Sequence, residues 1–185
     1  MENILKVLEL GSSEEKIKIL ETLDNTDNPE ILEKIILKLD DDDIQVRGEA
    51  FSSLVLNENK ISNFLIKSLN STSKNIRGFA SLVLANRNEI TAIPEIIKLA
   101  KDERSMVRSC AIGALGYLKA QEAKEIFLES LLDCNLEVRK SAIQAVIDLN
   151  ITISEKKIME IIKEKDLKIE KLLSQLKKYS GPEGI

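Results

Sequence analysis

Residues 102–118 read DERSMVRSCAIGALGYL. An acid comes first, Val107-Arg108 follow five residues later, and Ala111 and Leu115 continue at four-residue steps. The same frame recurs as Val46-Arg47…Ala50…Leu54, Ile76-Arg77…Ala80…Leu84 and Val138-Arg139…Ala142…Val146. The four arginines are spaced 30, 31 and 31 residues apart. Extrapolating the period backwards lands on Lys16, inside Glu15-Lys16…Ile19…Leu23, and forwards on Glu170, inside Ile169-Glu170…Leu173. A fixed period of this length marks a repeat array, in which each unit buries its apolar face against the next.

Apolar residues at four-residue steps make one stripe of a helix. Three positions ahead of the Val or Ile stand Ser12, Asp43, Ser73, Asn135 and Asp166, residue types that cap helix N-termini. Ser12 with Glu15 has the spacing of a capping box. Arg104 breaks the series, and Asp102 or Ser105 is the alternative cap there. Each capped helix, helix B of its unit, follows a second amphipathic run, helix A: 29–39, 61–69, 92–100, 123–132 and 154–163. Pro29 and Pro94 fall early in their helices, where the missing N–H costs nothing. The chain therefore reads as all-α, a right-handed α-solenoid of about five to six helix pairs in a single domain, 1–185. Well-formed repeats occupy about 28–150, degenerate capping units 1–27 and 151–179, and a frayed tail 180–185. In the last unit Ile169, Leu172, Leu173 and Leu176 form the stripe of a capping helix.

The segments LDDDDIQVRGEAFSSL, AKDERSMVRSCAIGALGYL and LLDCNLEVRKSAIQAV resemble HEAT repeats, in particular the short kind of the phycobilin-lyase-like HEAT group. The resemblance implies a structural role for the acid before the Val and the arginine after it, which form polar ladders between neighbouring repeats. The ladder residues here would be Asp41, Arg47, Arg77, Asp102, Arg108, Asp133 and Arg139, with Glu164 a degenerate member. Ser71 departs from the pattern, so the ladder should be weakest at that repeat.

Composition narrows the chemistry. At 43% hydrophobic and 31% charged residues the chain has the balance of an ordered, water-soluble protein. It contains no histidine, which excludes His-based acid–base catalysis and nearly all zinc, copper and non-haem iron sites. The di-iron deoxyhypusine hydroxylases, which are HEAT-repeat enzymes, are excluded with them. No phosphate-cradling glycine loop and no nucleophile elbow occurs. The run Asp40–Asp43 lacks the alternation, glycine and distal Glu of a calcium loop, and reads as a solvated loop ending in a helix cap. Cys110 and Cys134 are 24 residues apart and read as free thiols of a reducing compartment. Without an apolar run of spanning length or a signal-like N-terminus, the expected location is cytoplasmic, away from membranes. Residues 1–60 hold 7 basic against 15 acidic residues, which disfavours nucleic acid.

What remains is a surface. Helix-B positions that point away from the core stripe include Glu49, Phe79, Leu82, Asn86, Cys110, Tyr117 and Gln144. Aromatic anchors among small residues are the composition of binding hot spots. The expected function is a non-catalytic scaffold or adaptor, with no cofactor, that binds a partner protein on a concave helix-B face. A phycobilin-lyase-like or chaperone-like subunit acting on a partner protein is the alternative implied by the resemblance, and self-association through the apolar face is a third.

Overall fold

The computed structural model describes residues 2–162 and 167–176. The expected Glu164 ladder position, the Asp166 cap, the tail 180–185 and the side chain of Leu176 lie outside the described residues. Among these residues every regular element is helical, and the chain divides into two compact units, Met1–Glu95 and Ile96–Ile185.

The first unit contains α1 (Glu2–Leu10), α2 (Ser13–Leu20), α3 (Pro29–Leu37), α4 (Ile44–Leu56), α5 (Ser62–Ser68) and α6 (Lys74–Asn86). Helix α1 is the A helix of the first, degenerate unit: Leu8 stands 31 residues before Leu39, both are completely buried, and α1 packs on α2 and α3. The caps form as their chemistry dictates. Ser12 and Glu15 close a reciprocal capping box on α2, Asn28 accepts from the Glu30 and Ile31 N–H groups, and Asp43 and Ser73 cap α4 and α6. The frame residues Val46, Ala50, Leu54, Ile76, Ala80 and Leu84 are at most 4% exposed and form the core.

Helix α7 (Ile93–Leu99) follows, and then α8 (Ser105–Tyr117), α9 (Lys124–Ser130), α10 (Leu136–Asp148), α11 (Glu155–Ile162) and α12 (Leu167–Leu176). In the second unit Val107, Ala111, Leu115, Val138, Ala142 and Val146 are fully buried with Phe127 between them in sequence. Ile158, Ile161, Ile169 and Leu173 supply the apolar stripes of the last two helices. Arg104 occupies the cap position of α8 with no side-chain cap bond; Asp102 Oδ1 instead accepts the Arg104 N–H at 2.8 Å.

The A helices are one to two residues shorter at their ends than the periodicity predicts. Short 3₁₀ turns at 38–40, 90–92 and 121–123 take up the difference, tightening a helix terminus that has run out of partners. A second periodic feature lies in the backbone. Asn88, Lys119 and Asn150, again 31 apart, have φ of 55°, 53° and 53°, and each ends a B helix. The Glu89, Ala120 and Ile151 N–H groups reach back to the Leu84, Leu115 and Val146 carbonyls, the six-to-one bond of a left-handed C-terminal cap. Helix α4 ends differently. Asn57 is buried and extended, and its Nδ2 donates to the Thr26 carbonyl at 2.7 Å.

A candidate docking groove between α4 and α6

Asp43 fixes where α4 starts, and the helix then carries Ile44, Gly48 and Phe51 at steps of four and three on one face. Ser73 starts α6, which carries Phe79 and Leu82 three residues apart. These five residues, with Arg47, line a groove of about 380 Å³. Phe51, Phe79 and Leu82 are half-buried walls, and Ile44 is 72% exposed at the rim. Gly48 keeps the groove open. A Cβ built there meets nothing within 4 Å.

Ile44 and Phe51 are missing from the residues expected from sequence. A single set of outward offsets applied to every helix selects one flank of each. A groove between successive B helices is lined by one flank of the first and the other flank of the second, so Phe79 and Leu82 were selected and the residues facing them were not. Two of the chain's four phenylalanines on one pair of successive B helices was the available signal.

The other expected residues are placed as follows. Glu49 leaves the groove on the α2 side of α4, half-buried, and its carboxyl is pushed above the ordinary value by burial and then by the nearby Glu21. Asn86 is exposed and returns its Nδ2 to the Leu82 carbonyl at 2.8 Å. In the second unit Cys110 is half-buried, its Sγ 3.6 Å from Met106 Sδ, and burial pushes its thiol up to about 11, which makes it a neutral packing group. Tyr117 is 63% exposed, and Gln144 is exposed with its Nε2 donating to Asp148 Oδ1 at 2.7 Å. Gly78, the residue before Phe79 on α6, is buried in the first unit.

The α8/α10 pair, built on the same frame, has no such opening. Its helices contact each other along much of their length. Gly116 lies so close to α10 that an added Cβ would stand 2.9 Å from the Ala145 Cβ. Ser109 and Ser141 hydrogen-bond across the pair at 3.0 Å. The equivalent positions in α4 and α6 are Val55, Val83, Gly48 and Phe79.

The arginines act first on the backbone of their own loops. Arg47 Nη1 donates to the Asp41 and Asp42 carbonyls at 2.7 and 3.0 Å, and Arg77 Nη1 to those of Ser71 and Thr72 at 2.8 and 3.0 Å. Arg108 and Arg139 hold the carbonyls of Asp102, Glu103 and Asp133 in the same way. The loop acids fold the turn itself: Asp41, Asp102 and Asp133 each accept the N–H two residues on, and Ser71 Oγ does the same for Ser73. Two of these acids are also reached by a basic residue of the preceding repeat. Lys16 Nζ lies 2.9 Å from Asp41 Oδ2, and Arg108 grips both Asp133 oxygens at 2.8 Å. The Arg108 bonds hold the Asp133 carboxyl below its ordinary range despite partial burial. Burial acts to raise Asp41, but its bonds from Lys16, the Asp43 N–H and Lys38 win, and it too is lowered.

A second recess of about 430 Å³, lined by Glu58, Lys60, Arg87 and Glu89 among others, is polar. Its Arg87 is spent on structure, donating to the Leu54, Asn57 and Asn59 carbonyls. Among the described residues no cluster of His, Cys, Asp or Glu could hold a metal ion, and no helix is long and apolar enough to cross a membrane.

Comparison with known proteins fits this geometry. Residues 62–147 match the family model of HEAT repeats. No curated protein sequence matches the chain. An engineered protein solved by a structural genomics consortium superposes with a TM-score of 0.61 at 16% identity, covering 97% of each chain. A designed armadillo repeat protein in complex with the peptide (KR)4 gives 0.55 at 16% identity, over 97% of this chain and 98% of that one. A structure described under TOG–tubulin binding specificity gives 0.53 at 16% identity, over 98% and 82%. The recurring frame, its capped helix pairs and these likenesses give the chain an all-α solenoid fold whose residues 62–147 match HEAT repeats.

Proposed function

We propose that the chain is a non-catalytic interaction module that binds a partner protein through the α4/α6 groove. The observation that carries this reading is an open groove walled by two phenylalanines and a leucine, where the second unit closes the same position with Ser109, Ser141 and Gly116. Half-buried aromatic walls around a site accessible to solvent are what an incoming apolar side chain fills with gain. Repeat solenoids of this class are typical of protein-interaction scaffolds, and one structural neighbour holds a peptide.

Gly48→Trp tests it. The new indole enters open space and occupies the groove, so the helical circular dichroism and thermal midpoint stay at wild-type level. Proteins captured from the native lysate by the wild type should be lost from the Gly48→Trp bait, and from Phe79→Ala. Equal recovery of the same proteins by all three baits overturns the reading.

A further inference from the structure

The groove has a charged neighbour, and the two together specify a ligand. Residues 1–95 hold 11 basic and 17 acidic side chains, whereas residues 96–185 hold 16 and 14. Beside the groove, Glu49 on α4 faces Glu21 at the end of α2, so two like charges sit together. Neither has an ion-pair partner among the described residues. The other acids of this face are already engaged: Asp41 binds Lys16 and Lys38, and Asp43 caps α4. The cation that lines the groove, Arg47, is tied to the Asp41 and Asp42 carbonyls at the start of α4. Arg47 is thus matched by the acidic loop it clamps, and the unbalanced negative potential beside the groove lies on the α2 side.

We infer that the groove takes an extended segment of a partner protein in which an apolar side chain is separated by about three residues from an arginine or lysine, the apolar residue entering between α4 and α6 and the cation lying over Glu21 and Glu49. The inference rests on the reading of the groove as a docking site. The spacing follows from geometry. Adjacent packed helices lie 8–10 Å apart, and an extended chain advances about 3.3 Å per residue. A cation also relieves the Glu21–Glu49 repulsion, so the charge contact stabilises the complex and the receptor surface together. An acidic side chain on the α2 side would instead meet Glu21 and Glu49 and be repelled.

The test uses ten-residue peptides with one central Phe in a Ser/Gly frame, carrying Arg, Gln or Glu three residues to either side. Binding to the full chain is followed by NMR titration at 50 mM and 500 mM salt. The better Arg peptide should bind about tenfold more tightly than its Gln counterpart at low salt, and the Glu peptide more weakly than either. The Arg advantage should vanish in Glu21→Gln/Glu49→Gln and shrink at high salt, while Gly48→Trp abolishes binding of all three. Equal affinity for Arg and Gln peptides, with both lost in Gly48→Trp, overturns the inference and leaves the docking groove standing. Binding of no peptide, or binding that Gly48→Trp leaves intact, overturns both. A wild-type dimer in sedimentation that Gly48→Trp converts to monomer assigns the groove to a second copy of the chain and likewise overturns the inference.

Discussion

The α4/α6 and α8/α10 pairs share one frame and behave as opposites. In both, a Val or Ile, an Ala and a Leu or Val point inward, and an arginine clamps the preceding loop. In α8/α10 the residues between those landmarks are small or mutually hydrogen-bonded, so the helices close on each other. In α4/α6 the same places carry Gly48, Phe79, Val55 and Val83, and a groove results. The framework decides that helices stack. The exchangeable residues decide whether the seam between them is sealed or receptive.

The largest way to stress this comparison lies in the loops. Asp133 accepts two bonds from Arg108 and one from the Asn135 N–H, while Ser71 at the equivalent position accepts the turn bond from Ser73. Asp133→Ala should cost about 2–3 kcal/mol in urea denaturation, because it also strands a partly buried guanidinium, and Ser71→Ala about 0.5–1 kcal/mol. The pH dependence carries the same signature. A carboxyl whose folded pKa lies below its unfolded value stabilises the fold above the unfolded pKa and loses that contribution as pH falls through the folded one. The wild type should thus lose stability below about pH 4, and Asp133→Asn should flatten that limb. A mutant as acid-sensitive as the wild type would remove Asp133 from the account.

The glycines give the next contrast. Gly116→Ala should destabilise by about 1–2 kcal/mol, since the clash with Ala145 outweighs the gain in helix propensity. Gly48→Ala should stabilise by about 0.5–1 kcal/mol, because the new methyl meets nothing and the unfolded chain loses freedom. Thermal midpoints moving in the same direction for both would mean that the seams are not as different as their geometry.

Much of this was legible in the sequence, and the reason is physical. Stacking must be repeated in every unit, so its residues recur and can be counted: Val46, Ile76, Val107 and Val138 announce the core, and Ser12, Asp43, Ser73 and Asn135 the helix starts. The left-handed caps at Asn88, Lys119 and Asn150 are equally periodic but went unnoticed, because Lys119 is not a residue type that signals a positive φ. Helix α1 keeps the apolar period of the A helices, with Leu8 standing 31 residues before Leu39, but it lies outside the Val-Arg frame by which the units are counted. The groove was half visible. Phe79 and Leu82 stood out on α6, but Ile44 and Phe51 line it only because α4 offers its opposite flank, a relation between two helices that no single-helix pattern contains.

The arginine clamps have one more consequence. Each grips main-chain oxygens, which every amino acid carries, so the loop keeps its shape when the residue after the turn-forming acid or serine changes. Asp41-Asp42 and Ser71-Thr72 already present unlike chemistries in one conformation. The loops are thus free to diversify without being rebuilt, and a library randomised at positions 42, 72 and 103 would inherit a ready-made scaffold for selecting new ligands.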